Sequence, residues 1–207
     1  MHTCQLRGIL LDFGGVLAEE GFAEGMKAIA RENGLDEAVI WRAGLAAVWD
    51  SGYVSGRSDE AGFWRLFKER TGLVGDEALW REDILSRFTV RSWMPPIITR
   101  LRDLGVTTAI LSDQTDWLAL LDSRQDFFKY FEVVLNSYHH GMTKQEPAFF
   151  LLALRETGLT PENTLFVDDN PGNVERARAL GLKAHLYLDR EGFEAEIARL
   201  CPEALGR

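Results

Sequence analysis

Acidic and hydroxyl side chains follow several apolar segments of this chain, at the points where the segments end. Asp12 follows the run 8–11 and Ser112 follows the run 107–111. The acidic pair Asp168–Asp169 follows the run 164–167. Carboxylates brought close together repel one another unless a cation lies among them. Carboxylate oxygens suit a hard ion such as Mg²⁺, which also prefers to bind phosphate groups. The pattern therefore favours a Mg²⁺ site with a candidate nucleophile beside it.

A basic residue accompanies these acids. Lys144 lies in the loop after the apolar run 131–135, where it and Ser112 would supply donors to phosphoryl oxygens. Each residue alone has an ordinary explanation, because helix caps, turns and solvated surfaces recruit the same residue types. Their joint placement instead favours phosphoryl transfer, which needs a positioned nucleophile and neutralisation of charge.

The segments that must position these residues alternate between strand and helix. The run Gly8–Leu11 is apolar without alternation, which is typical of a strand buried on both faces in a parallel sheet. Ligands bind at the carboxyl ends of such strands, and the glycines after Asp12 allow a sharp turn there. Strands separated by helical segments predict an α/β fold with a parallel sheet. The predicted strands are 8–11, 107–111, 131–135, 164–167 and 182–188, and helices are predicted at 95–104, 117–121, 147–157, 173–180 and 193–200.

The segment between the first two strands has a different character. Apolar residues recur at helical spacing in four stretches, and no credible strand interrupts them. Acidic residues at 36, 59 and 76 stand where three of these helices would begin. The segment therefore predicts a separate helical layer, and packing in its core is the favoured role of its tryptophans. These tryptophans are Trp41, Trp49, Trp64 and Trp80.

Bulk properties restrict the partners of this 207-residue chain. Its formal net charge is −9, and without a basic run it offers nucleic acid little phosphate neutralisation. No segment has the length and apolarity of a signal peptide or a membrane span. Cys4 and Cys201 are too few for a disulfide framework or a cysteine metal cage, and they fit a reducing compartment. We therefore expect a cytoplasmic protein that binds neither nucleic acid nor membrane.

The order of these residues resembles the haloacid dehalogenase-like (HAD) hydrolases, most of which are phosphatases. The resemblance rests on four segments in the family's order and spacing, and it spans nearly the whole chain. The segments are Leu11–Val16 (LDFGGV), Leu111–Asp113 (LSD), Lys144–Phe150 (KQEPAFF) and Phe166–Asn173 (FVDDNPGN). It implies a Rossmann-like core over residues 1–15 and 91–207, with a helical cap domain inserted at 16–90.

The resemblance also implies a role for each matching residue. Asp12 would attack phosphorus and form an aspartyl-phosphate, while Ser112 would hydrogen-bond a phosphoryl oxygen. Lys144 would neutralise the phosphate and keep Asp12 ionised. The implied Mg²⁺ ligands are Asp12, the Gly14 carbonyl and Asp169. Two further residues have supporting roles: Asp168 would join the metal shell or steady Lys144, and Asn173 would orient the loop of the acidic pair.

Two positions depart from the family's pattern. Gly14 stands where most phosphatases of the family have a second aspartate, which acts as general acid and base. General acid catalysis is typically worth about 10²–10⁴-fold, so another group must substitute, turnover is slow, or the leaving group needs little help. Asp113, Glu19 and Glu20 are the candidate substitutes. Asp113 is itself unusual after the serine, although it belongs to the candidate substrate-binding set with Ser112, Lys144 and Gly14.

Three functional hypotheses remain open from the sequence. The leading one is a Mg²⁺-dependent phosphatase of a small phosphorylated metabolite, working as a monomer or homodimer. The second is metal-independent carbon–halogen hydrolysis, which Gly14 allows but which leaves Asp168 and Asp169 adding only repulsion near the nucleophile. The third is a phospho-ligand-binding protein of impaired activity, since a fold alone does not guarantee chemistry. A dinucleotide-binding domain is disfavoured, because Gly14–Gly15 lacks the further glycine spacing of that fingerprint.

Overall fold

A computed structural model describes residues 4–206 of the chain. Its core is a five-stranded parallel sheet with the strand order β3-β2-β1-β4-β5. The strands are β1 (Gly8–Leu11), β2 (Thr107–Ser112), β3 (Val133–Asn136), β4 (Thr164–Asp168) and β5 (Lys183–Leu186). The predicted α/β fold with a parallel sheet is confirmed.

β1 is the central strand, and its sequence explains why. Successive side chains of a strand point to opposite faces, so a strand covered on both sides needs apolar residues throughout. Ile9 and Leu11 pack into the hydrophobic cluster on one face, and Leu10 packs into the cluster on the other. None of these three side chains is exposed. The C-terminal end of β1 is thereby fixed in the middle of the sheet edge.

Helices cover both faces of the sheet. One face packs against α5 (Met94–Asp103), α6 (Trp117–Gln125) and α10 (Arg190–Leu200), whose buried residues join the cluster around Ile9. The other face packs against α8 (Pro147–Thr157) and α9 (Pro171–Ala179) through Phe149, Phe150 and Ala177. This three-layer arrangement leaves the strand ends free to carry polar side chains.

Four α-helices between β1 and α5 form the helical layer. They are α1 (Gly21–Glu32), α2 (Glu37–Asp50), α3 (Glu60–Thr71) and α4 (Glu77–Arg87). As predicted, Asp36, Asp59 and Asp76 cap three of them by accepting hydrogen bonds from first-turn backbone N–H groups, each with a shortest distance of 2.9 Å. The helical layer is therefore encoded locally by its caps.

Element boundaries differ from the prediction in a few places. β3 begins at Val133 rather than at 131, and β5 is limited to Lys183–Leu186. A short helix that the periodicity did not indicate, α7 (Ser137–His140), follows β3 because Asn136 accepts a hydrogen bond from the backbone N–H of Tyr138 at 3.2 Å. Across residues 4–206, no helix combines the length and the hydropathy needed to cross a membrane.

Residues near the two ends of the described chain meet at the hydrophobic core, where Leu200 and Cys201 are buried. Cys4 and Cys201 form a disulfide across a sequence separation of 197 residues, and the backbone N–H of Gln5 donates to the carbonyl of Leu200 at 2.8 Å. The sequence placed these cysteines at opposite ends and favoured a reducing compartment. The disulfide removes the argument for a reducing compartment. The fold brings the two cysteines together, and their spacing in the sequence does not indicate this.

Candidate active site

Three strand ends deliver the acidic and hydroxyl side chains to one edge of the sheet. Asp12 directly follows β1, while Ser112 and Asp168 are the last residues of β2 and β4. β2 and β4 both pair with β1 in parallel, so their carboxyl ends lie on either side of Asp12. The backbone N–H of Asp12 also donates to the Val167 carbonyl at 3.0 Å, which extends the ladder to the site.

Lys144 is the buried cation of this edge. Its Nζ lies 2.9 Å from Asp12 Oδ1 and 2.6 Å from Asp168 Oδ2, and its side chain is 1% exposed. Burial by itself lowers the pKa of the ammonium group, but the charges of Asp12, Asp168 and Asp113 raise it well above its ordinary value. Lys144 is therefore protonated throughout the physiological range.

Asp12 is held in one orientation by three donors. Its Oδ1 accepts hydrogen bonds from Ser112 Oγ at 2.7 Å and from the backbone N–H of Phe13 at 2.7 Å, and it pairs with Lys144. Burial raises the pKa of Asp12 to about 7, with Lys144 opposing the shift and Asp168 and Asp169 adding to it. A further cation near these acids would favour the ionised, nucleophilic form.

Asp168 is fully buried, and its oxygens are already hydrogen-bonded. Besides Lys144, it accepts bonds from the backbone N–H of Asn170 at 2.7 Å and from Asn173 Nδ2 at 3.2 and 3.1 Å. These contacts orient Asp168 toward Lys144. They also link Asn173 to Asp168.

Asp169 differs from its neighbour in having no ion-pair partner among residues 4–206. One carboxylate oxygen from each of Asp12, Asp168 and Asp169 lies within 4.8 Å of the other two. Burial and the adjacent Asp168 raise the pKa of Asp169, and the charges of Lys144 and Arg91 oppose the shift without cancelling it. An all-oxygen donor set of this kind fits a hard divalent ion such as Mg²⁺.

Gly15 explains how Asp169 comes so close to the loop after β1. A Cβ atom on Gly15 would lie 2.3 Å from Asp169 Oδ2, and the residue has φ +79°. Both observations require glycine, because an L side chain would be strained and would collide with the carboxylate. Gly15, the second of the two glycines after Asp12, thus makes room for Asp169.

The three candidate substitutes for the missing aspartate lie in different environments. Asp113 Oδ1 accepts the backbone N–H of Lys144 at 2.8 Å, so its carboxylate anchors the lysine loop. Glu19 is exposed and pairs with Arg91 at 2.5 Å. Glu20 is partly buried and lines the same pocket as Asp12, and its Oε2 lies 3.2 Å from the position of a Cβ on Gly14.

A pocket of about 440 Å³ opens over these residues. Asp12, Gly14, Ser112, Asp113, Lys144 and Asp169 line this one cavity, whereas the predicted Asp168 does not line it. The walls of the cavity come mostly from the helical layer. Trp64 and Trp80 are buried within that layer, as predicted, whereas Trp41 and Trp49 are half-buried and line the pocket.

Sequence reasoning missed the contacts that seat the helical layer on the core. Tyr53 donates a hydrogen bond to Asp116, and Ser137 Oγ donates to the Val54 carbonyl at 2.6 Å. The Trp117 indole donates to Glu60 at 3.1 Å. No local signal marks these residues, because each pair is far apart in the sequence and depends on the closed arrangement of the two layers.

Comparisons with known proteins agree with this geometry. Residues 6–181 match the haloacid dehalogenase-like hydrolase family. A protein from Porphyromonas gingivalis described as a predicted HAD-like family hydrolase is 26% identical, with a TM-score of 0.72 over 95% of this chain and 98% of that one. The HAD family enzyme bt-2542 from Bacteroides thetaiotaomicron, solved in complex with magnesium and inorganic phosphate, is 22% identical, with a TM-score of 0.66 over 87% of this chain and 93% of that one.

Among curated proteins, phosphoglycolate phosphatase from Salmonella typhi is 32% identical over 78 residues, 37% of this chain and 31% of that protein. The matches to the first curated relatives span 9% to 31% of those proteins' lengths. The parallel sheet with a buried Lys–Asp network at its carboxyl edge defines an α/β protein with a candidate reaction centre. The chain belongs to the haloacid dehalogenase-like hydrolase family.

Proposed function

We propose that this protein is a Mg²⁺-dependent phosphoric monoester hydrolase that acts on a small phosphorylated metabolite through an aspartyl-phosphate intermediate. The observation that carries this proposal is the network of Lys144 with Asp12 and Asp168, beside an unpaired Asp169. A buried ammonium shared by two carboxylates holds one of them in place as a nucleophile. The third acid adds negative charge that a divalent cation would balance.

The proposed reaction has two displacement steps at phosphorus. A carboxylate oxygen of Asp12 attacks the phosphorus atom, the bond from phosphorus to the ester oxygen breaks, and the alcohol leaves with one proton. Water then attacks the same phosphorus, the bond to Asp12 breaks, and inorganic phosphate is released. The sum is one ester and one water converted into one alcohol and one phosphate, with Asp12 regenerated.

The metal would be held by Asp12, Asp169 and the Gly14 carbonyl. When bound, the ion neutralises negative charge on the phosphoryl oxygens and the carboxylates. Asp168 lies close enough to join the metal shell, and it also positions Lys144, since its carboxylate oxygens accept hydrogen bonds from Lys144, Asn170 and Asn173.

Two donors of this chain would contact the transferring phosphoryl group. Ser112 Oγ is 2.7 Å from Asp12 Oδ1 and can turn its hydrogen bond to a phosphoryl oxygen once substrate is present. Lys144 Nζ, 2.9 Å from the same carboxylate oxygen, is close enough to neutralise charge that develops there. Asp113 supports this arrangement by fixing the backbone of Lys144.

Glu20 is the residue we assign to proton transfer. Its Oε2 lies 3.2 Å from where a side chain on Gly14 would begin, so its carboxyl group approaches the place that the usual aspartate would fill. Burial raises the pKa of Glu20, and the charge of Asp169 adds to the effect. A carboxyl group with a raised pKa holds its proton more tightly, which suits it to donate that proton to the leaving oxygen and later to accept one from water.

The division of the chain follows from the same picture. We propose that residues 16–90 form the cap, which selects the substrate, and that residues 1–15 and 91–207 form the catalytic core. The pocket supports this division, because its reactive floor comes largely from the core and its apolar walls from α1, α2 and α3.

Hydrolysis of p-nitrophenyl phosphate tests the proposal. We expect turnover with Mg²⁺, none with EDTA, and none in Asp12→Asn, while the exposed Asp103→Asn serves as a matched control that keeps full activity. Acid quench during turnover should leave one phosphoryl group on the protein, bound at Asp12. Turnover that persists in Asp12→Asn would contradict the mechanism.

The same preparation separates the competing hypotheses. Metal-independent release of halide from a 2-haloacid would indicate carbon–halogen hydrolysis. Binding of phosphometabolites without any turnover would indicate a ligand-binding protein. We favour the phosphatase over both, because Asp169 adds only repulsion near Asp12 unless a cation lies between them.

A further inference from the structure

The upper part of the pocket is apolar and largely aromatic. Trp41, Leu45 and Trp49 recur every four residues along α2, so they share one face of that helix and present it to the cavity. Rings from α1, α3 and α6 complete the walls. The residues that form this apolar wall are Phe22, Trp41, Leu45, Trp49, Phe63 and Trp117.

Several polar groups near this wall already have partners within the protein. The Tyr53 hydroxyl donates to Asp116, and the Trp117 indole donates to Glu60 at 3.1 Å. The side-chain oxygen of Gln114 accepts the backbone N–H of the next residue at 3.0 Å. Because these atoms are already engaged, they do little to replace the water around a sugar or polyol, and some of its hydroxyls would lose hydrogen bonds on entry.

The charges of the cavity also disfavour a substrate with a second anionic group. Among the described residues that line it, Lys144 is the one basic side chain, and the acids are Asp12, Glu20, Asp113 and Asp169. A Mg²⁺ ion and Lys144 together suffice for a phosphoryl group. They leave no cation for a second anionic group of a substrate, which would face acids and apolar rings.

We infer that the substrate is a phosphate monoester of an apolar alcohol, aromatic or aliphatic, with no anionic group besides the phosphate. This inference rests on the proposed phosphatase activity and specifies its substrate class. The cavity, at about 440 Å³, lies in the lower part of the range of roughly 300–1,000 Å³ that is typical of small-molecule sites. The apolar group would pack against α2, with its phosphate at Asp12.

Three esters of primary alcohols test the inference without a large difference in leaving group: 2-phenylethyl phosphate, ethyl phosphate and phosphoglycolate. Burial of a phenyl group is worth about 10- to 100-fold, so kcat/KM should fall by that factor from the first ester to the second, and further to the third. The same order should appear in binding to Asp12→Asn with Mg²⁺, followed by tryptophan fluorescence. Equal values, or a preference for phosphoglycolate, would overturn the inference.

A matched pair of variants on α2 locates the effect. Leu45 lines the cavity and Val39 does not, yet both are exposed enough to accept lysine, at 37% and 53%. Leu45→Lys should shift the ratio of 2-phenylethyl phosphate to phosphoglycolate by about tenfold toward the anionic ester, because the new cation faces it. Val39→Lys should leave the ratio unchanged, and an equal shift in both variants would contradict the assignment of this wall.

Failure of the inference can be told from failure of the proposed function. Hydrolysis of all three esters in the wrong order would reject the substrate class and keep the phosphatase. Binding to Asp12→Asn in the expected order, with no hydrolysis of any ester by the unmodified protein, would reject the phosphatase and keep the apolar ligand.

Discussion

The role of Glu20 can be tested by Glu20→Gln, a change that removes little except the acid. Glu20 Oε1 accepts the backbone N–H of Ala23 at 3.1 Å and caps α1, and the amide oxygen of glutamine can accept the same bond. The other oxygen faces Gly14 and the reactive floor. There an amide group would occupy the same space but could not give up a proton to the leaving alcohol.

The size of the effect depends on the leaving group. Loss of a general acid costs about 10²–10⁴-fold, or roughly 2.7–5.5 kcal/mol of transition-state stabilisation, when a poorly acidic alcohol must leave. A nitrophenolate needs little protonation as it departs, so the loss should be less than about tenfold for that ester. Glu20→Gln should therefore affect 2-phenylethyl phosphate strongly and p-nitrophenyl phosphate weakly.

Glu20→Gln should lower the activity without lowering the stability of the fold. Burial raises the pKa of Glu20 above its ordinary value, so the folded protein holds this proton more tightly than the unfolded chain does. Above the folded-state pKa the ionised carboxylate destabilises the fold, and glutamine removes that penalty. At pH 7 the variant should be at least as stable as the unmodified protein, and the difference should shrink as the pH falls through the folded-state pKa toward 4.5.

Single-turnover release of each alcohol measures the first displacement directly. Glu19→Gln is the matched control, since the neighbouring acid is exposed and pairs with Arg91. Equal losses for the two esters in Glu20→Gln, or no loss for 2-phenylethyl phosphate, would refute the assignment of Glu20. A loss accompanied by lower stability in urea would show that the substitution disturbs the fold instead.

Three other substitutions test the network, the acidic pair and the chain ends. Lys144→Met leaves two buried carboxylates unpaired, so it should abolish turnover and lower the free energy of unfolding at pH 7 by about 3–5 kcal/mol in urea titrations. Gly15→Ala should displace Asp169 and weaken Mg²⁺ binding in calorimetry by at least about tenfold, whereas Gly34→Ala, also at positive φ but with nothing within 4 Å, should not. Cys201→Ser should lower the free energy of unfolding by about 2–4 kcal/mol and leave turnover unchanged; no loss of stability would contradict the disulfide.

The strand ends could be predicted because their signal is local. The apolar run 8–11 and the acid after it lie next to each other in the sequence, and a parallel sheet gathers such ends at one edge. The same reasoning placed Ser112 and Asp168 correctly at strand ends, and the three acidic caps of the helical layer are equally local. Their meeting at Lys144 was expected from the family resemblance, since Lys144 lies in a loop without a regular pattern.

Contacts across large sequence separations could not be predicted. The sequence could not rank the three acids near the motifs. In the fold, Asp113 accepts the backbone N–H of Lys144, Glu19 is exposed and pairs with Arg91, and Glu20 faces Gly14 inside the pocket. Trp41 and Trp49 show the limit of a packing argument. Their spacing indicates an apolar face on a helix, but a face of that kind can line a cavity as well as a core.

The two crossings between the helical layer and the core lie side by side. Ala18 bridges Val90 in antiparallel fashion, and Arg91 donates from its guanidinium to the carbonyls of Gly15 and Val16 at 3.3 and 3.0 Å. Arg91 therefore ties the place where the chain passes between the two layers to Gly15, against which Asp169 rests, so a change at this connection would reach the acidic pair through one residue.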